Sequence, residues 1–350
     1  MAIISEREKR ERRDQMRKKR RRKATLLCGM LFLLCLGAAG SLLYFFKWRQ
    51  PQPELQYAFS MFDPVLGVRK TVFASERAVS FADPLCVESG DCNTDKVSIT
   101  SGAAELFDLE NKEVLYAKNI HKRMYPASLT KLMTALVAME YGNLDDEVTV
   151  GWECEEIDPD SSVCEIDPGE VYTLRQLLYG MIIASGNDAA MTIAVHVAGS
   201  VENFVSLMNQ EAQKIGATNT HFSNVHGLHE DNHYTTAYDL YLIFREALKY
   251  DVFEDMISQK TYTATYTTAE GEKMEITWNS TNQYFTGEAD QPQNITVFGG
   301  KTGTTDEAGA CLSLITRDEY GNSYFSLVLK ADSKITLYSE MTELLSQIKK

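Results

Sequence analysis

The sequence predicts an α/β protein of the α+β type: an antiparallel sheet flanked by helices and built from both ends of the domain, around a mainly helical insert. Three observations predict it. Apolar and polar residues alternate with period two near residues 98–118 and again over 295–330. Between them, about residues 128–250, apolar residues recur with the 3.6-residue period of helices. Glycine, proline and hydroxyl or acidic residues stand where these patterns begin and end.

The domain is preceded by segments of different character. Twelve Lys/Arg against four Asp/Glu give residues 1–23 a net charge of +8, so with −14 overall the remainder carries −22. That balance argues against nucleic acid as a partner beyond the tail. Ala24 to Phe46 is a 23-residue run without a charge, long enough to cross a bilayer as a helix. The basic flank should stay in the cytoplasm, which places everything after Lys47 outside. A cleaved signal peptide is the rival, given the small residues of "GAAGS", but the apolar run continues past them. The expected organisation is a basic cytoplasmic tail (1–23), a transmembrane anchor (24–46), a juxtamembrane stalk (47–95) and a catalytic domain (96–350). Five of seven cysteines follow the span. The pairs Cys86/Cys92 and Cys154/Cys164 are close enough in sequence for small disulfide loops or for free thiols. Cys311 is left over in a strand-like run.

In chain order, "SITSGAAELFDLE" and "KEVLYAK" form a hairpin around Glu110–Asn111. "PASLTKLMTALVAMEYG" is an amphipathic helix, with Leu129, Leu132, Met133, Leu136 and Val137 on one stripe between Pro126 and Gly142. Thr173 and Gln176 make a capping box for "LRQLLYGMIIA". "SGND" breaks that helix and "AAMTIAVHVAG" resumes it up to Gly199. "VENFVSLMNQEAQKIG" ends at Gly216. "KTYTATYTTAEGEKMEITWNST" alternates around Gly271. "TVFGGKTGTT", "GACLSLITRD" and "YGNSYFSLVLK" are three strands with turns at Asp306–Gly309 and Asp318–Asn322, and a helix over 335–348 closes the chain.

One motif invites a metal reading. "HEDNH", His229 to His233, fits H-E-x-x-H, which on a helix puts two imidazoles on one face for zinc. Gly227 precedes it, Asp231 and Asn232 fill it, and Thr235 or Thr236 can cap the next helix. A loop is therefore expected, and no metal or other cofactor is assigned.

Three plainer motifs carry more together. In "SLTK", Ser128 and Lys131 stand at i and i+3, neighbours on a helix face. A serine needs an adjacent base to become a nucleophile, and lysine becomes one when burial and nearby positive charge lower its pKa. In "SGN", Ser185 can relay a proton, while Asn187 can bind a substrate carbonyl or hold Lys131. In "KTG", Lys301 can attract a carboxylate, Thr302 adds a hydroxyl, and Gly303 lets a substrate lie close along a strand. Singly, these are also a solvated helix pair, a capped loop and a surface strand with a bulge. Their order, on helix, loop and strand, selects the catalytic reading.

The chain resembles the low-molecular-weight penicillin-binding proteins, serine-type D-alanyl-D-alanine carboxypeptidases. The resemblance runs from about Ser98 to Lys330 and includes "PASLTKLMTA", "LLYGMIIASGNDAA", "GATNTHFSNVHGLHEDNHYTTAYDL" and "GGKTGTTDEAGACLS". It implies a β-lactamase/DD-peptidase-like fold acting at the outer face of the cell membrane. Many relatives carry a cleaved signal and a C-terminal amphipathic anchor behind a second, β-rich domain, and the N-terminal single span expected here departs from that pattern. It implies Ser128 as nucleophile on the D-Ala-D-Ala bond of peptidoglycan stem peptides, Lys131 as base and Ser185 as proton relay with Asn187 ordering the site. Lys301 and Thr302 would hold the terminal carboxylate beside Gly303, and the N–H groups of Ser128 and Thr304 would form the oxyanion hole. β-Lactam antibiotics would acylate Ser128. The same site in a DD-endopeptidase would cut cross-links, and a non-catalytic cell-wall binding protein would lack an intact Ser128/Lys131 pair. A β-lactamase of the class with a deacylating glutamate would show Glu-x-x-Leu-Asn after the S-x-N loop. The one comparable downstream spacing, Glu275 to Asn279, falls in a strand-like run.

Overall fold

The computed structural model describes residues 85–348. The basic tail, the expected membrane span and most of the expected stalk lie outside the described residues. Residues 85–95 pack on the domain: Leu85 and Cys86 are buried in its core, and Cys92 bridges to Ala117.

A hairpin opens the domain, β1 (Ala103–Asp108) and β2 (Glu113–Lys118). Its turn forms because the Asp108 carboxylate accepts the N–H groups of Glu110 and Asn111. Three long strands close the domain: β7 (Ile295–Thr305), β8 (Gly309–Asp318) and β9 (Ser323–Ala331). Asp318 repeats the device, accepting from Tyr320 and Asn322 at the β8–β9 turn. These five strands form one antiparallel sheet in the order β2-β1-β9-β8-β7. The two ends of the domain thus meet at β1–β9, as the sequence predicts.

Alternation along the strands gives this sheet two covered faces. Ala104, Leu106, Leu312, Leu314 and Val328 pack against the closing helix α8 (Lys334–Leu345) through Leu337, Met341, Leu344 and Leu345. Each such leucine contributes about 1.5–3 kcal/mol by leaving water. Phe107, Cys311, Ile315, Phe325 and Leu327 face the helical insert. At its centre runs α1 (Thr130–Tyr141), which differs from the expected amphipathic helix: every residue from Thr130 to Met139 is buried, polar ones included. Neighbouring helices enclose it on the side away from the sheet.

Those helices are α2 (Leu174–Ile183), α3 (Asn187–Ala198), α4 (Val201–Lys214) and α5 (Ala237–Ala247). The Thr173/Gln176 capping box is present in both halves, α3 ends at Gly199 in the left-handed conformation, and Thr236 caps α5. The sequence reading missed α6 (Asp251–Ser258) and the single turn α7 (Gln283–Thr286).

The main departure from expectation is a second sheet. The hairpin of β5 (Thr261–Thr267) and β6 (Lys273–Asn279) stays out of the main sheet and joins β3 (Glu147–Thr149) and β4 (Val171–Thr173) in the order β3-β4-β5-β6. Stacked rings hold it to the insert: Tyr179 lies 4.2 Å from Tyr262, and Tyr172 lies 4.8 Å from Tyr266. Glu275 stands exposed in β6, so the glutamate spacing weighed for a β-lactamase belongs to a strand. All five described cysteines are free thiols; no small disulfide loop forms at 86/92 or 154/164.

Candidate active site

The cleft is built where α1, the α2–α3 junction and β7 converge. Ser128 does not sit in the α-helix proper. It occupies a 3₁₀ turn, Ala127–Leu129, that feeds α1. The turn begins with Ala127 at φ +47°, a left-handed conformation that costs a non-glycine residue about 1–3 kcal/mol. Packing enforces it. Gly227 presses on this corner so closely that a Cβ there would lie 1.9 Å from the Ala127 carbonyl oxygen. From the strand side, a Cβ on Gly303 would lie 2.9 Å from the Ser128 nitrogen. Ser128 itself is half-buried, open on one side.

Lys131 lies beneath it with no exposed surface. Its Nζ is 3.1 Å from Ser128 Oγ, 2.6 Å from Asn187 Oδ1 and 2.8 Å from the His226 carbonyl oxygen. Burial, and then the charge of Lys301, hold its pKa well below the ordinary lysine value. A neutral amine has two N–H groups and one lone pair. Asn187 Oδ1 and the His226 carbonyl can only accept, so they take both N–H groups. In the neutral form the lone pair would then be left for the Ser128 hydroxyl proton, whereas in the ammonium form the third N–H donates to Ser128 Oγ.

Ser185 lies between α2 and α3 at φ +63°, 4% exposed. Gly186 follows without a side chain, because a Cβ would lie 2.2 Å from Cys164 Sγ. Asn187 then opens α3, its N–H donating to the Ser162 carbonyl at 2.8 Å. Asp188 latches the preceding loop, its carboxylate accepting the N–H groups of Cys164 at 2.8 Å and Ile166 at 3.3 Å.

On β7, Lys301 is 1% exposed, and its Nζ donates to Ser185 Oγ at 2.9 Å and to the Thr302 carbonyl at 3.0 Å. Burial lowers its pKa to about 7. The Thr302 hydroxyl is 2.5 Å from that of Thr281.

Two depressions meet at Ser128. One, of about 130 Å³, is lined by Ser185, Thr281, Thr302, Gly303 and Thr304. The other, of about 260 Å³, is lined by Ser162, Asn187, Leu228, Thr304 and Thr305. Larger hollows of about 520 Å³ lie around Tyr320 and around Arg123. In neither is a hydroxyl hydrogen-bonded to a buried lysine, so convergence of chemistry locates this site better than volume does. All eight residues selected from sequence (Ser128, Lys131, Ser185, Asn187, Lys301, Thr302, Gly303 and Thr304) come together here. Sequence reasoning missed the His226 carbonyl, Ser162, Thr281 and the Asp188 latch. Of these only Asp188 carried a local signal, an acid in the first turn of a helix.

The "HEDNH" segment is a loop, as its composition predicts, and its two histidines diverge. His229 stands edge-on to Tyr125 at 4.5 Å. His233 is buried against Phe222 and bonded to Thr130 and Ser223.

Residues 91–333 match the peptidase S11 family, described as D-alanyl-D-alanine carboxypeptidase. The chain is 33% identical over 245 residues to D-alanyl-D-alanine carboxypeptidase DacF of Bacillus subtilis, covering 67% of this chain and 59% of that one. It is 35% identical over 259 residues to DacC of Escherichia coli, covering 71% and 61%. It therefore spans about three fifths of the length of these curated relatives. Among solved structures, the Streptomyces K15 DD-transpeptidase aligns with TM-score 0.66 at 29% identity, over 72% of this chain and 98% of that one. A D-alanyl-D-alanine carboxypeptidase from Mycobacterium tuberculosis aligns with TM-score 0.63 at 26% identity, over 74% and 95%. The mixed fold of antiparallel sheets and helices is thus that of the DD-peptidases, and the chain belongs to the D-alanyl-D-alanine carboxypeptidase family of serine peptidases.

Proposed function

We propose that this domain removes the terminal D-alanine from peptidoglycan stem peptides through an acyl-enzyme on Ser128. The observation that carries the reading is the Ser128–Lys131 pair: a half-open hydroxyl 3.1 Å from a buried amine whose two other partners are acceptors. In this reading Lys131 takes the hydroxyl proton as Oγ attacks the carbonyl between the two D-alanines. The oxyanion develops toward the N–H groups of Ser128 and Thr304. The leaving amine receives its proton through Ser185, which the Lys301 ammonium supports. Asn187 keeps Lys131 in place. Lys301 and Thr302 hold the terminal carboxylate, and Gly303 leaves room for substrate and nucleophile alike. Water then hydrolyses the ester. β-Lactams, acylating the same hydroxyl, act as inhibitors.

The proposal extends to place. The +8 tail and the charge-free run at 24–46 support a single-pass anchor with residues 47–95 as stalk and the domain on the extracytoplasmic side, where its substrate is found.

The experiment is labelling with a fluorescent penicillin. Wild type should be labelled and Ser128→Ala should not; equal labelling of the variant would remove Ser128 from its role. Mass spectrometry of a muropeptide digest then reads the activity. Loss of one D-alanine per stem is expected, whereas cleaved cross-links with intact pentapeptides would make the enzyme an endopeptidase.

A further inference from the structure

His233 is the most deeply buried histidine of the "HEDNH" loop, 1% exposed, and the chemistry above does not use it. Its partners fix its state. The backbone N–H of Ser223 donates to Nδ1 at 3.1 Å, so Nδ1 carries a lone pair. Burial, with the charges of His221 and His229, lowers its pKa to about 3, so the ring is neutral and its proton is on Nε2. Nε2–H then donates to Thr130 Oγ1 at 2.7 Å. The Thr130 hydroxyl, itself buried, donates onward to the Ala127 carbonyl at 2.8 Å. Every donor in this chain has one direction open to it.

The end of the chain matters. The Ala127 carbonyl and the Ser128 N–H belong to one planar trans peptide and point in opposite directions. Holding the carbonyl from the loop side turns the N–H toward the strand side. There Gly303 leaves the Ser128 nitrogen uncovered, since a Cβ would stand 2.9 Å from it. Gly227 makes the matching space behind, where a Cβ would collide with the Ala127 oxygen and lie 2.8 Å from Thr130 Oγ1. The left-handed Ala127 is the residue whose ψ would change if this peptide flipped.

We infer that His233, acting through Thr130, is a positioning residue that locks the Ala127–Ser128 peptide with its N–H directed at the oxyanion before substrate arrives. The inference rests on Ser128 being the nucleophile. The Thr130 backbone N–H also donates to the Ala127 carbonyl, so losing the side-chain bond loosens this peptide without freeing it entirely, and any rotation of the carbonyl toward the cleft would repel the oxyanion.

The test is rapid-mixing acylation of the full chain by a fluorescent penicillin, resolving the maximal acylation rate, the affinity of the preceding encounter and the labelled fraction. Thr130→Val keeps the volume and removes the hydroxyl. It should lower the maximal rate about 10- to 100-fold while affinity and labelled fraction hold, as expected when an oxyanion donor is displaced rather than deleted. Thr130→Ser should restore most of the rate. His233→Phe should match Thr130→Val, and the double variant should be no slower than the slower single, since both cut one chain. A wild-type rate in Thr130→Val, or a lost labelled fraction with the remainder reacting normally, would overturn the inference. Nitrogen NMR of His233 in the wild type needs no variant: the Nε2–H tautomer is expected, and an Nδ1–H tautomer, which cannot donate to Thr130, would overturn it. Failure of wild type to be labelled would instead indict the assignment of Ser128.

Discussion

The two walls of the cleft hold equally buried lysines by opposite means. On the helical wall, Lys131 follows a 3₁₀ turn with Ala127 at positive φ, and Ser185 across the cleft is also left-handed. Backbone there is strained and held in place by tight neighbours. On the strand wall, Lys301 to Thr304 lie in regular antiparallel register with Ala310 to Ser313, and no residue among them has positive φ. On the proposed reading the reacting side chains sit on the strained wall, and the ladder carries the recognition groups together with one oxyanion donor, Thr304. Strain there fixes atoms that must meet within hydrogen-bond distance, whereas a ladder presents a row of groups to an extended ligand at little conformational cost.

A glycine on each wall tests this. Gly227→Ala puts a Cβ 1.9 Å from the Ala127 carbonyl at φ +93°. The obstacle is backbone, and alanine does not favour that φ. Destabilisation of about 3 kcal/mol or more is expected, a fall in Tm of about 6–12 °C, together with loss of labelling. Gly303→Ala meets the Ser128 nitrogen at 2.9 Å from a strand with ordinary φ. It should lower Tm by less than Gly227→Ala, because the overlap with backbone is smaller and φ is ordinary, while acylation falls about 100-fold, because the methyl covers the proposed oxyanion donor. Calorimetry and labelling on both variants decide it. Equal loss of Tm in the two would mean that the walls do not differ in the way described.

The strand wall was also the more legible one. "KTG" reads as an extended segment because alternation and turn residues are local signals, and β7, β8 and β9 fall where they predict. The chemistry of the helical wall was visible as residue types, but its geometry was not. Nothing local distinguishes a 3₁₀ turn at Ser128 from the first turn of the helix. α1 looks amphipathic because its apolar stripe is clear, yet its polar residues Thr130 and Thr134 are buried by bonds to Ala127 and Val225. Strands of three residues, β3 and β4, leave too short a pattern to detect, so the second sheet was missed. Partners such as Thr130 and His233 are separated by 103 residues, and no spacing in the sequence links them.

The smallest effect concerns how one wall tunes the other. The charge of Lys301 is the second cause, after burial, that lowers the pKa of Lys131. Lys131 accepts a proton only when neutral, so acylation is lost as pH falls through its pKa. Lys301→Gln removes the nearby positive charge, the ammonium form of Lys131 becomes less unfavourable, and its pKa rises. The acid limb of the acylation profile should therefore move to higher pH. Burial persists in the variant, so the limb should remain below the range of an ordinary lysine. Lys301→Arg, which keeps the charge, should leave the limb near its wild-type position even though its different shape weakens carboxylate binding. The position of the limb, not its height, is the readout, because both variants lower the height by disturbing recognition. An unshifted limb in Lys301→Gln would mean that burial alone prepares Lys131, and that the strand wall contributes recognition but no activation.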